Sequence, residues 1–126
     1  MAGVNKVILI GNLGKDPEIR YLDANNAKAT FSLATTEWYK DKLGNKVEQT
    51  EWHHIIVWRQ LAINADKMLK KGMQIYLEGK LQTRQWVDKD GIKRSITEII
   101  AESFLILQKR ENSNQQPQSG DFMDLD

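Results

Sequence analysis

The spacing of hydrophobic positions changes several times along the chain, and each change marks an element. Val4 to Leu13 is rich in Val, Ile and Leu and ends at Gly14, which predicts a strand. Asp16-Pro17 predicts a turn. Ala27 to Tyr39 alternates in part, through Phe31 and Leu33, and predicts a second strand. The polar run Asp41 to Lys46, with Gly44-Asn45, predicts a loop, and Val47 to Trp58 a third strand. Leu61, Ala62, Ala65, Met68 and Leu69 then recur at helical spacing, with Gly72 placed to stop the helix. Met73 to Val87 predicts a fourth strand, Lys89-Asp90-Gly91 a hairpin turn, and Ile92 to Leu107 a fifth strand.

Three strands, one short helix, then two strands is the order of an all-β, five-stranded oligonucleotide-binding (OB-fold) barrel, with its helix between strands 3 and 4. The sequence divides into a domain over residues 1–108 and a polar linker with an acidic tail over 109–126. From Asn112 to Gly120 that tail has no apolar residue to bury, so disorder is expected. A chain of 126 residues can bury one real core. It contains no cysteine, which excludes a disulfide scaffold, a thiolate metal site and a cysteine nucleophile. No apolar run reaches the roughly 18 residues of a membrane span. No hydrophobic signal segment follows Met-Ala-Gly-Val-Asn-Lys, so no membrane partner is expected and a cytoplasmic, nucleoid-associated location is.

Charge is unevenly placed. All 18 basic and 13 of the 17 acidic residues lie in 1–110, a net of +5, while 111–126 carry four acids and no base, a net of −4. That split suits a body for a polyanion and a tail for another contact. Trp38, Trp52, Trp58 and Trp86 fall among charged and polar residues rather than in apolar runs. Flat rings beside cations can hold unpaired bases by stacking while the cations follow the phosphates.

Strand parity sorts these rings. In the fourth strand Met73, Ile75, Leu77, Gly79 and Leu81 share the apolar face, which leaves Trp86 on the polar face with Lys80 and Arg84. In the third strand Trp52 and Trp58 share a face, six residues and about 20 Å apart, with Ile55 and Val57 on the other side to line the barrel. Trp38 and Tyr39 are adjacent, so only one can join the stacking face, and parity alone does not choose. His53-His54 is no metal site, because adjacent strand residues diverge and no third ligand accompanies them. Gly11 to Lys15 lacks the spacing of a phosphate loop. Nothing calls for a cofactor, a metal or a catalytic group.

Gly3 to Gly14, Asp16 to Tyr21, Leu33-Ala34-Thr35, Glu48 to His53, Lys71-Gly72 and Tyr76 to Gly79 together resemble bacterial-type single-stranded DNA-binding proteins, over about residues 3–107. The resemblance implies a homotetramer that wraps single-stranded DNA without sequence preference and protects it during replication, recombination and repair. It puts the stacking aromatics on Trp52, Trp58 and Trp86 and a fourth on Tyr39, with Trp38 its neighbour. It puts DNA contacts on Lys6, Lys40, Arg84 and Arg94, beside Lys80. It assigns subunit contacts to His53, Tyr76 and Gln74. The family's acidic tip, which recruits replication and repair proteins, would fall on Asp121, Phe122, Asp124 and Asp126, but the terminal Pro-Phe of that tip is missing here.

The charge split yields one prediction. If the acidic tail competes with a strand for the basic body, deleting residues 111–126 tightens single-strand binding at low salt, as read by titration. Unchanged affinity would refute the competition.

Overall fold

The computed structural model describes residues 2–109; the expected disorder of the tail, and Asp121, Phe122, Asp124 and Asp126 within it, lie outside the described residues. Six strands and one helix follow in order: β1 (Val7–Leu13), β2 (Glu18–Asp23), β3 (Asn26–Lys40), β4 (Lys46–Trp58), α1 (Arg59–Met68), β5 (Gln74–Val87) and β6 (Lys93–Gln108). Five of them close a barrel. β1 pairs with β5, β5 with β6, β6 with β4 in parallel, β4 with β3, and β3 returns to β1. This is the five-stranded OB-fold barrel of the sequence reading.

β2 is the element that reading lacked. Glu18 to Asp23 hangs on the outer edge of β3, with Ile19 half-buried as its inward residue. Six residues with one inward apolar side chain give too little alternation to register as a strand, and tertiary pairing makes it one. The helix therefore follows the fourth strand in chain order, though still the third strand of the barrel.

The core follows the expected parity. Ala27, Ala29, Phe31 and Leu33 of β3 alternate inward, as do Ile55 and Val57 of β4 and Ile75 and Leu77 of β5. α1 packs mainly on β3 and closes one end with Ala62 and Ala65, joined by Leu69 just beyond it. Met68, placed on the apolar stripe by its spacing, instead stays half exposed. The helix ends before the expected stop at Gly72: Leu69 caps it in an extended conformation, at φ −97°, with its N–H on Ala65 O at 2.9 Å. Gly72, in the left-handed region at φ 89°, instead turns the chain toward β5 and donates its N–H to Leu13 O at 2.9 Å.

The outer strands are longer than the barrel is tall. On β5 the inward burial ends at Gly79, and Leu81, which the parity put on the apolar face, is 49% exposed. From there β5 and β6 leave the barrel as a two-stranded arm. β3 and β4 do the same beyond Thr36 and Thr50.

Gly79 sits where the arm leaves the barrel, beside an irregularity that gives β6 one extra residue between Ala101 and Ser103. A Cβ at Gly79 would run into the backbone carbonyl of Ile100, and one at Gly11 into that of Ala34. Backbone cannot yield as a side-chain tip can. Gly79→Ala is therefore expected to cost about 2 kcal/mol by overpacking, read as a lower thermal midpoint; an unchanged midpoint would refute the role given to this close approach.

Candidate nucleic-acid interface

Cross-strand partners share a face, so register places every ring. β3 and β4 pair without a break from Lys28↔Trp58 to Lys40↔Lys46. The even-numbered residues of both strands point outward, bringing Trp38, Trp52 and Trp58 to one face. The parallel pair Ile56↔Ile100 carries that face to β6, and Trp86↔Arg94, Arg84↔Ile96 and Lys80↔Ile100 carry it to β5. All four tryptophans therefore lie on one curved outer surface. Ile56, Ile96 and Ile100 floor it, and the two arms border it.

Each ring has a local support. Trp52 lies across Gly14, where an added Cβ would come within 2.5 Å of the indole, so a glycine at that strand end leaves room for the ring. Lys28, opposite Trp58, holds its Nζ 5.5 Å from that ring's centroid. Lys46 Nζ lies 4.5 Å over Trp38, and the Arg84 guanidinium 5.0 Å over Trp86. Arg84 is itself anchored: its Nε donates to Glu98 Oε1 at 2.9 Å, and Glu98 is buried at 7% exposure. A buried carboxylate needs such a partner, so pairing fixes the guanidinium beneath the indole. Arg59, directly after Trp58, takes a left-handed φ of 57°, a strained choice for a residue with a Cβ.

Both arms end in the same five-residue turn, Asp-Lys-x-Gly-x. Asp41 Oδ1 accepts from the N–H groups of Leu43 and Asn45, and Asp88 Oδ1 from those of Asp90 and Ile92. Gly44 and Gly91 supply the positive φ, at 85° and 79°. Arg94 Nε donates to Asp88 Oδ2 at 2.9 Å. The Ile92 N–H and then Arg94 hold the Asp88 carboxyl below its usual range.

Of the residues expected to meet nucleic acid, Trp52, Trp58, Trp86, Trp38, Arg84, Arg94, Lys40 and Lys80 come to this surface. Tyr39 shares the opposite face of its arm with Val47. Lys6, just before β1, gives its ammonium to Glu78 at 2.7 Å. Among the subunit-contact residues, Gln74 and Tyr76 lie together on the outer face of β5, beside Asn12 and Ile10. His53 has inward parity at the root of the β3–β4 arm, where its Nε2 meets Thr35 Oγ1 at 3.0 Å, so one protomer does not unite it with the other two. Sequence reading missed Gly14, Lys28, Lys46 and Glu98. The hairpin register, counted back from the Asp41–Asn45 turn, would have found both lysines.

A small closed barrel with aromatic rings and cations on an open face has the layout of a nucleic-acid-binding module. A family model described as the single-strand binding protein family matches residues 4–107. The chain belongs to that family. It is 50% identical over 115 residues to the single-stranded DNA-binding protein 1 of Xylella fastidiosa, a match covering 90% of this chain and 85% of that one. It is 49% identical to the single-stranded DNA-binding protein of Neisseria meningitidis, over 90% of this chain and 66% of that protein. Among solved structures, the Plasmodium falciparum SSB in complex with ssDNA superposes with a TM-score of 0.78 at 36% identity, covering 86% of this chain and 98% of that one. A deletion mutant of the Thermus aquaticus protein gives 0.73 at 34% identity, covering 86% and 52%.

The Lys6–Glu78–Tyr76 network makes the outer face of β1 and β5 sensitive to pH. Hydrogen bonds from Lys6, then Tyr76, hold the Glu78 carboxyl below its usual range, and the same bonds raise Lys6 and Tyr76 above theirs. The Glu78 contribution is thus in place above the ordinary carboxylate range and lost as pH falls through the lowered value. Those of Lys6 and Tyr76 are in place at neutral pH and lost as pH climbs through their raised values. Glu78→Gln should lower the thermal midpoint at neutral pH by more than at acid pH. An equal loss at both would show that the charge is not what matters.

Proposed function

We infer that this protein binds single-stranded DNA without reading its sequence, holding the strand open and covering it. The observation that carries the reading is the placement of four tryptophans on one outer face, three of them with a cation against the ring. Its relatives' names point the same way. Stacking tolerates any base because every base has a π-face, at about 1–3 kcal/mol per base, a range known from single-strand-binding barrels such as this one. Duplex DNA keeps its bases inside the helix and offers no such partner.

Binding proceeds by exchange. A base settles on an indole, the lysine beside the ring (Lys28 at Trp58, Lys46 at Trp38) moves to the flanking phosphate while Arg84 stays on Glu98, and the counterions condensed on that phosphate leave. Arg20 pairs with Lys28 across β2 and β3 and lengthens the cationic border past Trp58. The reading contains no catalytic step and needs no cofactor.

The working unit is a homotetramer. Ile8, Ile10 and Leu105 stand exposed on the outer face of β1, β5 and β6, beside Tyr76 and Gln74, an apolar strip suited to another copy of the chain. The protein works in the cytoplasm on nucleoid DNA that is transiently unpaired during replication, recombination and repair. Its acidic C-terminus would contact enzymes of those processes.

Oligo-dT titrated into the protein should quench tryptophan fluorescence strongly. The affinity should fall steeply with salt, and duplex DNA of equal length should leave the signal unchanged. Trp86→Ala should weaken binding about tenfold. Equal quenching by duplex, or none by the single strand, would refute the reading.

A further inference from the structure

The β3–β4 arm carries two adjacent aromatics, Trp38 and Tyr39, exposed to nearly the same extent at 56% and 51%. Accessibility does not choose between them. Nor does proximity, since both border a shallow depression with Lys40 and Lys46. Family resemblance assigns the stacking role to Tyr39. Register and charge assign it otherwise.

Trp38 pairs with Glu48, and the unbroken ladder gives it the same face as Trp52 and Trp58. On that face Lys40 and Lys46 oppose each other at the arm's tip, and Lys46 already lies over the indole. Tyr39 pairs with Val47 and shares the opposite face with Thr35, Glu37, Gln49 and Glu51. Those arm positions hold two carboxylates and no cation. A phosphodiester approaching Tyr39 would meet those two carboxylates, whereas one approaching Trp38 meets the ammonium groups of Lys40 and Lys46 against the single carboxylate of Glu48.

We propose that Trp38, not Tyr39, is the base-stacking ring of this arm, with Lys40 and Lys46 taking the flanking phosphates, and that Tyr39 faces away from the strand. The assignment rests on the single-strand-binding reading and moves the ring by one residue relative to the family pattern. It extends the row Trp58–Trp52 toward the arm's tip. From Trp38's partner Glu48 to Trp58 is ten residues of β4, roughly 33 Å of extended strand.

The experiment uses the full chain and fluorescently labelled oligo-dT, with affinity read by anisotropy. Trp38→Ala should weaken binding about tenfold and Tyr39→Ala by no more than about twofold. Trp38→Phe keeps a ring and should restore most of the affinity, while the tryptophan quenching amplitude falls. Tenfold loss in Tyr39→Ala, or affinity within about twofold of wild type in Trp38→Ala, would overturn the assignment alone. Wild-type protein that fails to bind the oligonucleotide would overturn the single-strand-binding reading and the assignment with it.

Discussion

Everything in this molecule depends on a closure made by very little backbone. β1 meets β3 through Asn12↔Ala34 and Leu13↔Leu33, and β4 meets β6 through Ile55↔Ile99 and Ile56↔Ile100. Two residue pairs at each seam turn a flat ribbon into a barrel. Both seams run past a glycine against a carbonyl, Gly11 beside Ala34 and Gly79 beside Ile100. Closure at this radius leaves no space for a Cβ, and it abolishes most of the edge that a sheet of long strands would otherwise present. It also decides where the strands must part company with the barrel, and so where the arms begin.

The arms are the functional consequence. A strand segment with a packed side and a wet side has only one face to offer a ligand. Beyond the barrel both faces are wet, so on the proposed function the distribution of charge and aromatic residues decides which one is used. On the β5–β6 arm that face is marked by Trp86, Arg84 and Arg94; on the β3–β4 arm by Trp38, Lys40 and Lys46. Glu98, buried at the root between the two, locks Arg84 and with it the orientation of the nearest indole.

Much of this was legible in the sequence. Alternation along Ala27–Leu33 and Ile75–Leu77 reported the lining of the barrel, and helical spacing between Trp58 and Gly72 reported the plug. The position of Trp86 among polar residues reported the outer face. Three things were not legible, each for a physical reason. β2 has too few inward apolar residues to announce itself. Parity along a single strand cannot rank Trp38 against Tyr39, because that ranking belongs to the ladder between two strands. The roles of Gly14 and Glu98 arise from contacts between segments far apart in the chain, Gly14 with Trp52 and Glu98 with Arg84, which local pattern does not encode. Leu81 shows the converse: the alternation is right, but the wall it would have lined has ended.

The cations lying over Trp58, Trp38 and Trp86 have a meaning in the absence of any ligand. Large indoles exposed or half-exposed on one surface are an invitation to self-association. Lys28, Lys46 and Arg84 act as placeholders that keep these faces hydrated and mutually repellent. On the proposed function, the side chains that take the phosphates thus also serve, until the strand arrives, as the solubilising coat of the site.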